Sequence, residues 1–143
     1  MRKINTYFWI SALVLNSSFL IAQSDKDQIN TTINKYIEGT SYNKPETIKE
    51  AFYEEANLFL SRKDNSLWIV PVKDYAAGYE KKEKGKFNGR TGKIIAVDIE
   101  NDIATAKAEI LISKLDLRFM DIFLLKKIEG NWKIISKAAT RKK

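Results

Sequence analysis

Apolar residues in the first part of the chain recur at helical spacing. Residues 24–39 carry four apolar side chains at successive intervals of four, three and one, which places them on one side of a helix: Ile29, Ile33, Tyr36 and Ile37. Ser24 or Asp25 is a suitable cap for the start of this helix, and Gly39 is a suitable end. The pattern therefore predicts a first amphipathic helix over residues 24–39.

Two further helices are predicted, over residues 44–56 and 72–85. Pro45 suits a first helical turn, and the short loop before it predicts a helical hairpin. Gly78 weakens the last of these helices. The buried sides are predicted to contain Ile48, Ala51 and Phe52 in the second helix and Val72, Tyr75, Ala76 and Tyr79 in the third.

The other apolar segments have the length and the two-residue period of strands. Two short segments flank a polar turn, at residues 56–60 and 66–71, and four longer ones follow Gly92: residues 93–100, 103–113, 116–128 and 132–139. One of the longer segments alternates cleanly, with Ala104, Ala106, Ala108, Ile110 and Ile112 on one face. Because the turns at 101–102 and 129–131 are short, the long strands are predicted to pair as antiparallel neighbours.

Helices followed by a run of antiparallel strands define an α+β domain. We predict a cone-shaped, strongly curved antiparallel sheet wrapped around about three N-terminal helices. The hollow of such a cone is a natural pocket. Ala104, Ala106 and Ala108 either leave space in it or let a helix approach closely.

The amino terminus has the pattern of an export signal. It begins with Arg2 and Lys3, continues with an apolar stretch and ends in small residues. We predict a signal peptide at residues 1–22, with cleavage after Ala22, and a single domain at residues 23–143. An uncleaved membrane anchor is the alternative. The expected location is periplasmic or secreted, with no stable membrane insertion after cleavage.

Composition removes several classes of chemistry. The chain has no cysteine and no histidine, so thiol and imidazole nucleophiles and the usual zinc and haem ligands are absent. We therefore expect no metal and no cofactor. The formal net charge is +7, but the lysines are scattered and no nucleic-acid-binding motif is visible, so we expect no nucleic-acid partner.

One residue in a long strand does not fit its apolar surroundings. Asp121 lies inside the segment FMDIFLL, and it shares the odd-numbered face of the strand with Phe119 and Phe123. We predict that this face points into the cone. A carboxylate placed there costs several kcal/mol unless it is paired, protonated or hydrated.

Three segments resemble the nuclear transport factor 2-like superfamily, in its putative lumazine-binding branch, which is related to polyketide cyclases and steroid delta-isomerases. They are YIEGTSYNKPETIKEAFYEEANLFL, GKIIAVDIENDIATAKAEI and FMDIFLLKKIEGNWKIISK. The resemblance implies a cone-shaped sheet, a pocket and a homodimer formed through the sheet. One departure is that Tyr53-Glu54 replaces the His-Pro pair found in many members.

The isomerase relationship supplies a test for catalysis. Those enzymes use a tyrosine on the first helix and an acid on this strand, and the resemblance implies that Tyr36 and Asp121 occupy the matching positions. They also need a carboxylate base, and the matching position here holds Leu60, which cannot accept a proton. Tyr36 and Asp121 then form either a polar pair in a binding pocket or a structural hydrogen bond.

Aromatic side chains complete the predicted ligand site, because flat rings can sandwich a flat ligand. The alternative for each ring is ordinary core packing. Arg90 is a candidate to meet an anionic group at the rim, and a solvated side chain is its alternative. The predicted ligand-binding residues are Tyr36, Phe52, Tyr53, Trp68, Tyr75, Phe119, Asp121 and Trp132.

Three functions remain open from the sequence. The favoured one is an exported protein that binds a small aromatic or heterocyclic molecule without catalysis. The second is an enzyme of the cyclase, dehydratase or isomerase type, which would need Glu54, Glu55 or Asp64 to turn inward as a base. The third is an interaction module that uses its sheet to dimerise or to dock another protein.

Overall fold

A computed structural model describes the backbone of residues 7–142 and the side chains of residues 24–142. The predicted export signal and its cleavage site therefore lie outside the residues whose side chains are described. The helices are α1 (Tyr7–Ser41), α2 (Pro45–Ala51) and α3 (Val72–Ala77). The strands are β1 (Phe52–Ser61), β2 (Leu67–Pro71), β3 (Arg90–Glu100), β4 (Ile103–Ile112), β5 (Leu117–Ile128) and β6 (Asn131–Arg141). None of the helices, within the part of the chain that was described, has the length and apolarity needed to cross a bilayer.

The α+β prediction is confirmed. In the described residues the strands form one curved, unclosed sheet in the order β2-β1-β6-β5-β4-β3. The long strands β3 to β6 pair antiparallel with their neighbours, as their short turns require. One pairing departs from the antiparallel arrangement, because β1 pairs with β6 in parallel. These two strands are distant in sequence, so no tight turn dictates their relative direction.

Irregular pairing bends the sheet. The register shifts between Ile94 and Ala96 in the β3–β4 pair, and between Leu124 and Leu125 in the β5–β6 pair. Such bulges increase the local twist and bend the strand, and this bending curves the sheet. The concave face then encloses one core, in which Ile29 and Ile33 of α1 lie in the same cluster as the small alanines of β4.

The predicted boundaries of the helices need three corrections. α1 runs through the predicted start at Ser24 and passes Gly39 before it ends at Ser41. α2 stops at Ala51 because Phe52 already pairs with Ile134 of β6. α3 stops at Ala77 rather than reaching residue 85, with a short turn after it.

The end of α1 is fixed by two asparagines. Asn43 adopts a left-handed conformation with φ of 54°, and its amide donates to the carbonyl oxygens of Glu83 and Lys86. Asn88 donates to the Thr40 carbonyl at 2.7 Å and to the Asn43 side chain at 2.8 Å. The loop before β3 therefore satisfies free carbonyls at the helix terminus and holds the start of β3 in place.

Candidate functional site

Asp121 and Tyr36 meet in the interior of the cone. The Tyr36 hydroxyl donates to Oδ2 of Asp121 at 2.8 Å, and both side chains are buried, with Asp121 only 1% exposed. The odd-numbered face of β5 points inward, as predicted. On the sheet, Asp121 is flanked in register by Ala108 and Ala139, whose small side chains leave the space that its partners occupy.

Two cations surround this carboxylate: Lys137, which the sequence analysis did not identify, and Arg90, for which it left open a role at the rim or a solvated side chain. Lys137 is 2% exposed and donates to Oδ2 of Asp121 at 3.0 Å. Arg90 donates to the Tyr36 hydroxyl at 2.8 Å and lies 3.6 Å from the same carboxylate oxygen. The expectation that Arg90 is solvated is wrong, because its side chain is only 13% exposed. We call Tyr36, Arg90, Asp121 and Lys137 the charged cluster.

Three tyrosine hydroxyls lead from the charged cluster toward α3. The oxygens of Tyr36 and Tyr75 are 3.5 Å apart, and those of Tyr75 and Tyr79 are 3.3 Å apart. Tyr75 and Tyr79 are partly exposed, so the row of tyrosines begins at the buried carboxylate and ends at residues that reach the surface. Phe119, two residues before Asp121 on the inward face of β5, is also partly exposed and packs against the core. We call Tyr75, Tyr79 and Phe119 the rim.

The pKa values of Tyr36 and Tyr75 are shifted in opposite directions. Burial raises the pKa of Tyr36 well above its usual range. Burial also acts to raise the pKa of Tyr75, but the positive charges of Arg90 and Lys137 outweigh it, so that this pKa is lowered.

One carboxylate oxygen of the charged cluster accepts no hydrogen bond from the described residues. Oδ1 of Asp121 is buried, and among the described residues it has no hydrogen-bond partner. Buried carboxylate oxygens usually accept at least one hydrogen bond, and the cost of leaving one unpaired is about 1–3 kcal/mol. Oδ1 is therefore the carboxylate oxygen whose acceptor capacity none of the described residues uses.

The structure brings together five of the eight residues predicted to bind a ligand. Tyr36, Asp121, Tyr75 and Phe119 belong to the charged cluster and its rim. Phe52 packs edge-on against Tyr36, with ring centroids 5.7 Å apart, and is 3% exposed. Its ring is therefore a wall of the core behind Tyr36.

The other three predicted residues lie elsewhere. Tyr53 and Trp68 are 36% and 44% exposed, and Trp68 lines a surface cleft with residues 61–64. Trp132 is buried near the opposite end of the sheet, where it pairs in register with Lys127 and its indole donates to Oδ1 of Asp25 at 3.0 Å. Its alternation with apolar neighbours was typical of a core position, and core packing is its observed role.

Asp25 anchors the beginning of the folded domain, and we predict its contribution from its contacts. Lys127 donates to it at 2.6 Å and Trp132 at 3.0 Å, and these two bonds lower its pKa. Asp25→Ala should lower the free energy of unfolding by about 2 kcal/mol, the usual loss for hydrogen bonds to a charged group. Urea denaturation at pH 7 measures this loss.

The pH dependence of the Asp25 effect follows from the sign of the shift. Because the pKa is lower in the folded state than the unfolded value of 3.8, the stabilisation is complete above that value and is lost as pH falls through the folded pKa. The difference between wild type and Asp25→Ala should therefore be constant at neutral pH and shrink below about pH 3.8. A difference that persists unchanged in acid would contradict this account.

The candidates for the carboxylate base of isomerase-type proton transfer lie away from the charged cluster. Leu60, at the position of the expected base, is partly buried against the core. The alternative bases Glu54 and Glu55 are exposed, and Asp64 accepts hydrogen bonds from Ser66 in an exposed turn. In the described residues, no three acidic side chains are grouped so as to hold a metal ion.

The fold defines the class of this protein. It is a nuclear transport factor 2-like protein, and the model of the family described as putative lumazine-binding matches residues 24–138. The chain belongs to that family. No curated protein is similar enough to the chain to match it.

Solved structures show the same fold. A nuclear transport factor 2-like protein of unknown function from Shewanella baltica is 24% identical, with a TM-score of 0.74, over 84% of this chain and 95% of its own. A similar protein from Methylobacillus flagellatus is 26% identical, with a TM-score of 0.72, over 84% of this chain and 94% of its own. A third, from Silicibacter pomeroyi, is 17% identical, with a TM-score of 0.74, over 85% and 98%.

Proposed function

We propose that the protein binds a small molecule at the rim, above the charged cluster, and does so without catalysis. The observation that carries this proposal is the buried Oδ1 of Asp121, which lacks a partner among the described residues. A ligand N–H or O–H group directed at this oxygen would satisfy it. The position of Leu60 where a base is expected supports binding rather than proton transfer.

The rim supplies the apolar part of such a site. Tyr75, Tyr79 and Phe119 are partly exposed aromatic residues above polar groups, which is the composition of sites that hold flat, drug-sized molecules. The description of the family as putative lumazine-binding points in the same direction, because lumazine is a flat heterocycle. The proposed ligand is accordingly an aromatic or heterocyclic metabolite.

Thermal shift against a panel of flat heterocycles that includes lumazine tests this proposal. At least one compound should raise the melting temperature of the wild type. Tyr36→Phe should stay folded, with an unfolding free energy lower by about 2–4 kcal/mol, because it loses two hydrogen bonds to charged groups, one to Asp121 and one from Arg90. Asp121→Asn keeps the shape of the side chain but replaces one carboxylate oxygen by an NH₂ group. Both variants should bind more weakly.

The matched control is Tyr53→Phe, which removes a hydroxyl from a tyrosine outside the charged cluster. Its affinity for the active compound should equal that of the wild type. The binding proposal fails if no compound stabilises the wild type, or if Tyr36→Phe and Asp121→Asn bind as tightly as Tyr53→Phe.

We also propose that the sheet mediates a homodimer. A strip of exposed apolar residues crosses β2, β1, β6 and β5 on the convex face. Phe59 is in register with Ile69 and with Ala138. Ala138 is in turn in register with Ile122. Ile69, Phe59 and Ile122 are 52%, 36% and 44% exposed. A strip of this kind is self-complementary when two copies meet about a two-fold axis.

Light scattering with two matched variants tests the dimer. Ile122→Asp places a charge in the strip, whereas Ile103→Asp places it on a residue of nearly the same exposure, 43%, at the β3–β4 turn. The wild type and Ile103→Asp should be dimers and Ile122→Asp a monomer. A monomeric wild type would refute the proposal.

We propose, finally, that residues 1–22 direct export. The support is the order of basic, apolar and small residues at the amino terminus. Mass spectrometry of the protein recovered from the extracytoplasmic fraction of its native host should find a chain that begins at Gln23. Recovery of the uncleaved chain from the cytoplasm would refute it.

A further inference from the structure

The charged cluster contains more positive than negative charge. Lys137 and Arg90 share Asp121 as their acidic partner, at 3.0 and 3.6 Å from Oδ2. With ordinary ionisation the three groups sum to one net positive charge, in a place where side-chain exposure is 13% at most. A buried charge without a counter-charge costs several kcal/mol, so the excess cation needs compensation.

Arg90 is the cation that lacks a full partner. Lys137 makes a hydrogen bond to the carboxylate, whereas the 3.6 Å separation of Arg90 from Asp121 is too long for one. The guanidinium is held by neutral hydroxyls instead, at 3.0 Å from Thr40 and 2.8 Å from Tyr36. These contacts fix the orientation of the planar group and leave its charge available to a further oxygen.

The surroundings of Arg90 favour an anion on the side of the rim. Arg90 and Lys137 both act to lower the pKa of Tyr75, whose hydroxyl lies 3.5 Å from that of Tyr36. Because Arg90 donates to the Tyr36 hydroxyl at 2.8 Å, its guanidinium is close to this position and attracts a negatively charged oxygen there. Asn88 positions the backbone of Arg90 through a 3.0 Å bond, so that the site is prepared before any ligand arrives.

We infer that the ligand of the rim carries an acidic group, such as a carboxylate or the ionised oxygen of a heterocycle, that pairs with Arg90. This inference rests on the proposed binding function and names the chemical class of the ligand. The acidic group compensates the excess charge of the cluster, and the aromatic rim contacts the flat remainder of the molecule.

Calorimetry with benzoate and benzamide tests the inference, because these probes have the same shape and differ in charge. Benzoate should bind the wild type about tenfold more tightly at pH 7, which is the ratio that one charge-assisted hydrogen bond provides. Arg90→Gln should abolish this preference. Arg118→Gln, which removes an exposed arginine on the convex face of β5, should keep it.

The outcomes separate the inference from the binding proposal. If benzamide binds as tightly as benzoate, or if the preference survives in Arg90→Gln, the acidic ligand is refuted while the site stands. If neither probe binds but a neutral heterocycle does, the acidic ligand is again refuted and the binding site stands. If no compound of either experiment binds, both proposals fail. Should Arg90→Gln not fold, Arg90→Lys, which keeps the charge, should retain the wild-type preference for benzoate, and its loss would refute the inference.

Discussion

Replacing Lys137 by methionine is expected to lower the free energy of unfolding by about 3–5 kcal/mol, the typical cost of breaking a buried ion pair from one side. Lys137 is 2% exposed and donates to Oδ2 of Asp121, which is 1% exposed. Methionine has a similar volume, so the loss measures the broken ion pair between Lys137 and Asp121 rather than a cavity. Urea denaturation at pH 7 gives the value.

The double variant Lys137→Met/Asp121→Leu is the control for this prediction. It removes both charges and leaves no unpaired carboxylate, so it should recover most of the lost stability. The remaining loss belongs to Tyr36 and Arg90, whose contacts with Asp121 are also removed. If the double variant is no more stable than Lys137→Met, the ion pair is not the cause of the destabilisation.

The sequence pointed to Asp121 but not to Lys137, and a bulge explains the difference. Trp132 and Ile134 are buried on β6, so a strict period of two places Lys137 on the opposite, exposed face. The register shift between β5 and β6 pairs Leu125 with Ile134 but Leu124 with Ser136. This extra residue reverses the alternation and turns Lys137 inward, which a period of two cannot predict.

Arg90 was misjudged for a related reason. Its predicted strand began only at residue 93, so its side chain was treated as part of a loop. In the structure β3 begins at Arg90. The Asn88 side chain donates to the Thr40 carbonyl oxygen near the end of α1 and accepts a hydrogen bond from the Arg90 backbone, which holds Arg90 at the start of the strand. That contact joins residues about 50 positions apart, and local sequence patterns carry no information about such pairs.

The aromatic residues show what composition alone leaves open. Tyr75 and Trp132 both follow helix or strand periodicity, and both are suitable for stacking on a ligand. One lies beside the charged cluster, whereas the other donates to Asp25 at a distant end of the sheet. The alternation of apolar residues predicted which side chains face inward, but the curvature of the sheet decides which part of the interior they reach.

Gly39 in α1 is another residue whose role the local sequence pattern does not reveal. It also supports a prediction with a large expected effect. Gly39 is a common type of helix terminator, but here the helix continues to Ser41 and the left-handed residue is Asn43. A Cβ atom on Gly39 would lie 2.7 Å from Cγ1 of Ile48 and 2.8 Å from its backbone nitrogen. The glycine is therefore required by the close approach of α1 and α2.

Gly39→Ala should consequently lower the free energy of unfolding by about 3 kcal/mol, near the upper end for overpacking, because a backbone atom cannot move aside as a side chain can. Without the close contact, the same change would stabilise a helix by up to about 1 kcal/mol. The sign of the effect thus separates the two accounts, and chemical denaturation of the purified domain measures it.

The control is Gly78→Ala at the end of α3, where φ is −60° and the nearest atom to an added Cβ is 3.2 Å away. That variant should change stability by less than about 1 kcal/mol, and a Gly39→Ala protein as stable as Gly78→Ala would show that the two helices pack less closely than described.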